Sequence, residues 1–152
     1  MGNEDARAVP FAADSVLEIE RVYDAPLDRV WAALTNRDHA VHWWHPERTT
    51  VIELEMDVRP GGAWRKRMRN DNGEEFSNGG VYRVVDKPNR IVFTYAVADR
   101  ETLVAFTLTE QGGKTRLTLA QTDFPTVAYR DSHRTGWTGA LRNLDALVAG
   151  LR

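Results

Sequence analysis

Between Val16 and Tyr23 apolar and polar residues alternate, the pattern of a half-buried strand, and Asp24-Ala25-Pro26 interrupts it. Asp24 is suited to cap a helix and Pro26 to sit in its first turn. Leu27, Val30, Trp31 and Leu34 then recur at helical spacing, which predicts a short helix with one apolar face. A second helical turn is expected from Asp38 to Trp43, ending before Pro46.

Beyond Thr49 the period changes to two and the turn residues become those of antiparallel hairpins. Strands are predicted over Thr50–Asp57, Ala63–Arg69, Glu74–Val85, Ile91–Val97, Leu103–Thr109 and Lys114–Thr122. Asn72-Gly73, Lys87-Pro88-Asn89 and Gly112-Gly113 supply the recognisable turns. With the first strand this makes about seven.

After Asp123-Phe124-Pro125 the alternation stops. Trp137, Leu141, Leu144, Leu147, Val148 and Leu151 form a stripe at spacings of three and four, the strongest helix signal in the chain. Arg134, Arg142, Asn143 and Asp145 occupy its other face, so the helix lies on a surface. A meander closed by one long amphipathic helix is an α+β arrangement with the helix across one sheet face. A long sheet must curl, and one helix about 10 Å across cannot fill the hollow, so a cavity is expected beside it.

Length and composition narrow the field. The 152 residues suit a single domain over 15–152, preceded by a loose, flexible arm over 1–14 without periodicity. There is no cysteine, which excludes disulfides, thiolate metal sites and a cysteine nucleophile. Glu4 and Asp5 stand where a secretory signal is basic, and no apolar run approaches the ~20 residues of a membrane span. The chain is therefore read as cytoplasmic, without membrane insertion. A net charge of −2 lacks the footprint of a protein that binds nucleic-acid phosphates.

Several residues carry chemistry worth weighing. His39, His42 and His45 are three apart, but that spacing drifts around a helix that Pro46 ends, and no metal site is expected. Asp57 and Arg59 read as a salt-bridged strand end leading into Gly61-Gly62. In the run from Arg65 to Arg69, alternation puts Arg65, Arg67 and Arg69 on one face and Lys66 with Met68 on the other. Glu74 and Glu75 follow on the partner strand, so this reads as a neutralised, solvated face. His133 stands one helical turn before Gly136-Trp137, where an imidazole can serve as a polar contact or a general acid or base. Gly136 and Gly139 weaken a helix, which points to close approach of helix to sheet or to room for a ligand. Nucleophile triads, phosphate loops and dinucleotide fingerprints are missing, and no cofactor is expected.

The sequence resembles the START-like, or SRPBCC, superfamily with its helix-grip fold, and within it the group named after the activator of Hsp90 ATPase. The resemblance spans Leu17 to Leu151. It rests on Arg21, Ala25-Pro26, Val30-Trp31, Trp43-Trp44-His45-Pro46, Asp57-Val58-Arg59-Pro60-Gly61-Gly62, Gly80-Val81-Tyr82, Pro88-Asn89-Arg90-Ile91-Val92, Thr115-Arg116-Leu117-Thr118-Leu119 and Gly136-Trp137 with Leu141 and Leu144. It implies a curved antiparallel sheet of six to seven strands around the C-terminal helix. The superfamily includes lipid carriers, hormone receptors, cyclases and co-chaperone domains, so the fold does not fix a reaction. The chaperone activator has a separate N-terminal domain that contributes to Hsp90 binding, for which this chain has no room.

The expected function is binding of a small hydrophobic or amphipathic molecule between sheet and C-terminal helix. Trp44, Trp64, Phe76, Tyr82, Phe93, Phe106 and Trp137 are the expected wall, and His133 the polar contact. The alternatives are a cyclase- or hydrolase-type enzyme using the same cavity, with His133 or Asp57 moving a proton, and a protein-interaction module with a chaperone partner. A homodimer through a sheet edge or a helix face is compatible with the pattern.

Overall fold

The structure, a computed structural model, describes residues 15–150. The arm expected over 1–14 and Leu151, the last residue of the apolar stripe, lie outside the described residues. Strand β1 (Leu17–Tyr23) is followed by helices α1 (Leu27–Thr35) and α2 (Arg37–Trp43). Six strands come next: β2 (Thr49–Met56), β3 (Ala63–Asn70), β4 (Glu75–Asp86), β5 (Arg90–Val97), β6 (Arg100–Gln111) and β7 (Lys114–Thr122). Helix α3 (Val127–Gly150) closes the fold.

All strands belong to one seven-stranded antiparallel sheet in the order β1-β7-β6-β5-β4-β3-β2. The meander runs from β2 to β7, and β1 joins the outer edge of β7. Helices α1 and α2 therefore carry the chain from one sheet edge to the other. Register shifts between Val51 and Glu53 and between Tyr82 and Val84 are bulges, which bend a strand and increase its twist. This is the helix-grip architecture that the resemblance implied.

Local chemistry explains most boundaries. The cap of α1 departs from expectation: Pro26 holds the N-cap position with no side-chain bond, in place of Asp24. The helix ends where Asn36 turns extended, and the same residue starts α2 by accepting a bond from Asp38 N at 2.9 Å. Gly112 and Gly113, with φ of 60° and 84°, make the tight turn between β6 and β7. The hairpin from β5 to β6 turns at Ala98, whose φ is 56°, so β6 begins at Arg100, earlier than Leu103. Ala98-Asp99 has no glycine or proline to announce it.

One contiguous core lies between the concave sheet face and the helices. Leu17, Ile19, Leu117, Leu119, Phe106 and Leu108 meet Val30, Trp31 and Leu34 of α1 and Trp43 of α2. On α3, the residues buried are Trp137, Gly139, Ala140, Leu141, Leu144 and Val148, none of them in its first ten positions. Val127, Ala128, Tyr129, Ser132 and Thr135 of the N-terminal half are exposed. The helix thus seals one part of the hollow and stands off the other.

Candidate functional site

The stand-off leaves a cleft of about 980 Å³ between the inner face of β3, β4 and β5, the loop after α2, and the N-terminal half of α3. Trp44, Met68, Phe76, Trp137 and Ala140 provide apolar wall, while Lys66, Asn78, Tyr95 and His133 bring polar atoms to it. His45, Pro46, Glu47 and Arg48 of the loop form part of its border.

Of the positions expected to meet a ligand, Trp44, Phe76, His133 and Trp137 are brought together on this cleft. Trp64, Tyr82, Phe93 and Phe106 are not on its wall. They are buried with at most 3% exposure and form a continuous aromatic layer beneath it. Trp64 lies 4.7 Å from Trp44 and 5.6 Å from Phe93, and Phe93 lies 5.8 Å from Tyr82 and 6.1 Å from Phe106, ring centre to ring centre. Alternation puts all of these on the inner face. Only the helices decide which part of that face stays uncovered.

Trp137 is oriented by a buried polar chain. Its Nε1 donates to Gln121 Oε1 at 2.8 Å, Gln121 Nε2 donates to Thr102 Oγ1 at 2.9 Å, and Thr102 Oγ1 donates to the Tyr95 carbonyl at 2.6 Å. Gln121 and Thr102 have no exposed surface. Such a chain is stabilising because its members satisfy one another. It also fixes an indole on the cleft wall.

Lys66 is the residue that sequence reasoning passed over. It projects from β3 between Trp64 and Met68, is 3% exposed, and donates from Nζ to the Trp44 carbonyl at 3.0 Å. The same Nζ lies 4.3 Å from the centre of the Trp44 ring, a cation–π distance. Burial pushes the amine down to about 7. The alternation had placed Lys66 on the face of Met68, opposite the arginines, and the structure turns that face inward. The signal lost was that a lysine between two apolar inward positions cannot share the solvated role of its arginine neighbours.

Those neighbours point outward. Arg67 donates to Glu53 at 3.0 Å and Glu75 at 2.6 Å, Arg69 donates to Glu75 at 2.8 Å, and Arg65 lies 3.8 Å from Glu55. The hydrogen bonds from Arg69 and Arg67 hold the Glu75 carboxyl below its usual range. Glu75 serves as expected, and Glu53 and Glu55 of β2 complete the compensation, while Glu74 instead accepts from Asn70. The outer face is a lattice of paired charges.

Asn78 faces Lys66 directly across the β3–β4 register. Its Nδ2 donates to Tyr95 Oη at 2.6 Å, and its Oδ1 is buried with no partner. The Tyr95 ring stands 5.5 Å from His133 and 6.4 Å from Trp137. Burial raises the Tyr95 phenol well above its usual value, so it stays protonated. Burial first, and the Lys66 charge second, lower the His133 imidazole below its ordinary value.

The remaining sequence candidates sit elsewhere. Asp57 accepts from Arg59 Nε at 2.9 Å on an exposed strand end, outside the cleft. His39 and His42 lie on α2, and among the described residues no three His, Asp or Glu side chains gather where they could hold a metal. Gly136 and Gly139 admit the loop after α2, not the sheet. A Cβ at Gly139 would stand 3.0 Å from Glu47 Cγ, and one at Gly136 would stand 3.6 Å from Pro46 Cβ. Arg142 pairs with Glu47 at 2.7 Å and fastens this loop to α3.

No described helix is long and apolar enough to cross a membrane. Among solved structures, a protein from Nitrosomonas europaea superposes with a TM-score of 0.81 at 24% identity, covering 95% of this chain and 100% of its own. A protein from Chromobacterium violaceum gives 0.81 at 27% identity, covering 88% and 96%. The AHSA1 protein from Silicibacter pomeroyi gives 0.80 at 26%, covering 90% and 99%. No curated protein matches the sequence. The profile of the family described as activator of Hsp90 ATPase homolog 1-like protein matches residues 24–149. With the curled sheet, the gripping C-terminal helix and this match over most of its length, the chain belongs to the activator of Hsp90 ATPase homolog 1-like family.

Proposed function

We propose that this protein binds a small amphipathic molecule in the cleft between β3–β5 and the N-terminal half of α3. The observation that carries the reading is the cleft itself: about 980 Å³ with aromatic and aliphatic walls and a few convergent polar groups. Ligand sites combine those features, with apolar surface giving affinity and sparse polar groups giving orientation. A ligand that binds only the folded state raises its stability by mass action. Native mass spectrometry of the purified protein, with a thermal-shift screen of fatty acids, aromatic polyketides and flavonoids, tests this. A co-purified small molecule or a saturable rise in Tm supports it. A bare mass with a flat screen overturns it and favours the interaction module, in which a chaperone or other protein partner docks on the surface.

Lys66 and His133 favour a second reading, proton transfer within the same cleft. An amine near pKa 7 is poised to give and take protons at neutral pH, and a half-buried imidazole stands on the same wall. Turnover with a bell-shaped pH profile that disappears in Lys66→Met and His133→Gln would support a cyclase- or hydrolase-type activity. Asp57, tied to Arg59 outside the cleft, has no part in that reading.

A further inference from the structure

We propose that the ligand of the cleft is a monocarboxylate, its anionic end set against Lys66 and Asn78 and its apolar body along Trp44, Met68 and Trp137. The inference rests on the reading of the cleft as a ligand site and names the chemistry of what it takes.

The polar end of the cleft is rich in donors and poor in negative charge. Lys66 carries an amine into an apolar wall, where its charged form is normally paired. Among the described residues no carboxylate lies within ion-pair distance of it, and its Nζ has one carbonyl acceptor and one ring face. An ammonium has three N–H donors, so capacity remains. Directly across the ladder, the buried Asn78 Oδ1, an acceptor as placed, has no partner. With Nδ2 bonded to Tyr95 Oη, one amide N–H and the Tyr95 O–H remain to give; with the amide turned over, two amide N–H groups remain. Either arrangement offers donors beside a cation, which is what an acceptor-only group with two oxygens requires.

The other charged and titratable groups around the site do not supply that anion. From β5 comes Tyr95, held protonated, and from α3 His133. The loop after α2 contributes His45, Glu47 and Arg48, but Glu47 is engaged by Arg142 at 2.7 Å and Arg48 lies 3.6 Å from Asp71. One buried ammonium matches one negative charge. A carboxylate arriving there returns Lys66 to its protonated state, so binding above neutral pH takes up a proton.

Isothermal titration calorimetry at pH 8, in two buffers of different ionisation enthalpy, tests this with two matched pairs: decanoate against 1-decanol, and 2-naphthoate against 2-naphthalenemethanol. For the wild-type protein at least one acid is expected to bind more than tenfold tighter than its alcohol, with uptake of about one proton. In Lys66→Met, which keeps an unbranched stem one atom shorter and relieves a buried charge, the preference for acid over alcohol and the proton uptake should both vanish. Equal affinity of acid and alcohol, or an unchanged acid preference in a folded Lys66→Met, overturns the carboxylate and leaves the cleft as a site for neutral ligands. Failure of all four probes overturns both.

Discussion

Lys66 directs its ammonium at the backbone of Trp44 and over the ring of the same residue, 3.0 Å from the carbonyl oxygen and 4.3 Å from the ring centre. One residue thus supplies both compensations for a charge that burial opposes. Because the amine falls from 10.5 in the ordinary state to about 7 in the folded protein, the unfolded chain binds the extra proton between those values. Stability contributed by this group therefore rises with pH from about 7 towards 10.5 and is lost on acidification across that window. Urea denaturation between pH 7.5 and 9.5 should show wild type gaining on Lys66→Met by up to about 1.4 kcal/mol per pH unit. Parallel curves for the two proteins would mean that the amine titrates normally.

His133 has the same sign at lower pH. Its imidazole is held below the ordinary 6.5 by burial and by the Lys66 charge, so the unfolded chain is protonated first. Acidification below pH 6.5 should destabilise wild type more than His133→Gln. Melting temperatures of the two proteins between pH 5 and 7 check it, wild type losing more than the variant as pH falls.

The bond from Trp137 Nε1 to Gln121 Oε1 at 2.8 Å is a buried contact between α3 and β7. Trp137→Phe leaves that oxygen without a donor and should cost about 1–3 kcal/mol, beyond the volume removed. Adding Gln121→Leu to it should cost less than the sum of the single changes, because the two residues share the lost bond. A double-mutant cycle by chemical denaturation reads the coupling.

Two helical glycines should respond oppositely to alanine. At Gly136 the new methyl meets Pro46 Cβ at 3.6 Å, an ordinary contact, so the helix gains up to about 1 kcal/mol. At Gly139 it meets the Glu47 backbone nitrogen at 3.2 Å and Cγ at 3.0 Å, so the loop must shift and the gain is offset. Thermal melts of the two variants should separate, Gly136→Ala above wild type and Gly139→Ala at or below it.

Phe76 and Phe93 look alike as sequence positions, yet one is 40% exposed at the cleft and the other 3% exposed in the layer beneath. Phe93→Ala should cost about 3–5 kcal/mol, while Phe76→Ala should cost less than about 1 kcal/mol and act on ligand affinity instead. Denaturation and ligand titration of both variants test the division.

Elements with strong local periodicity were legible from the start. The stripe Trp137, Leu141, Leu144 and Val148 marks α3, and Asn72-Gly73 and Gly112-Gly113 mark hairpins, because each signal acts between neighbours in the chain. The turn at Ala98 was not legible, since its positive φ comes from closing β5 on β6 and no residue type there demands it.

The sequence by itself carried the motifs whose resemblance implied the helix-grip architecture, and it put Trp64, Lys66 and Met68 on one face, for alternation along a strand is a property of its own backbone. Tertiary structure alone decided which inward residues remain uncovered. It left Trp44, Phe76, His133 and Trp137 on the cleft and closed Trp64, Tyr82, Phe93 and Phe106 beneath it, because coverage depends on where α3 and the loop after α2 come to rest. The same packing brought Lys66, Asn78 and Tyr95 together from three strands, and burial, which no single strand possesses, gave the lysine its altered chemistry.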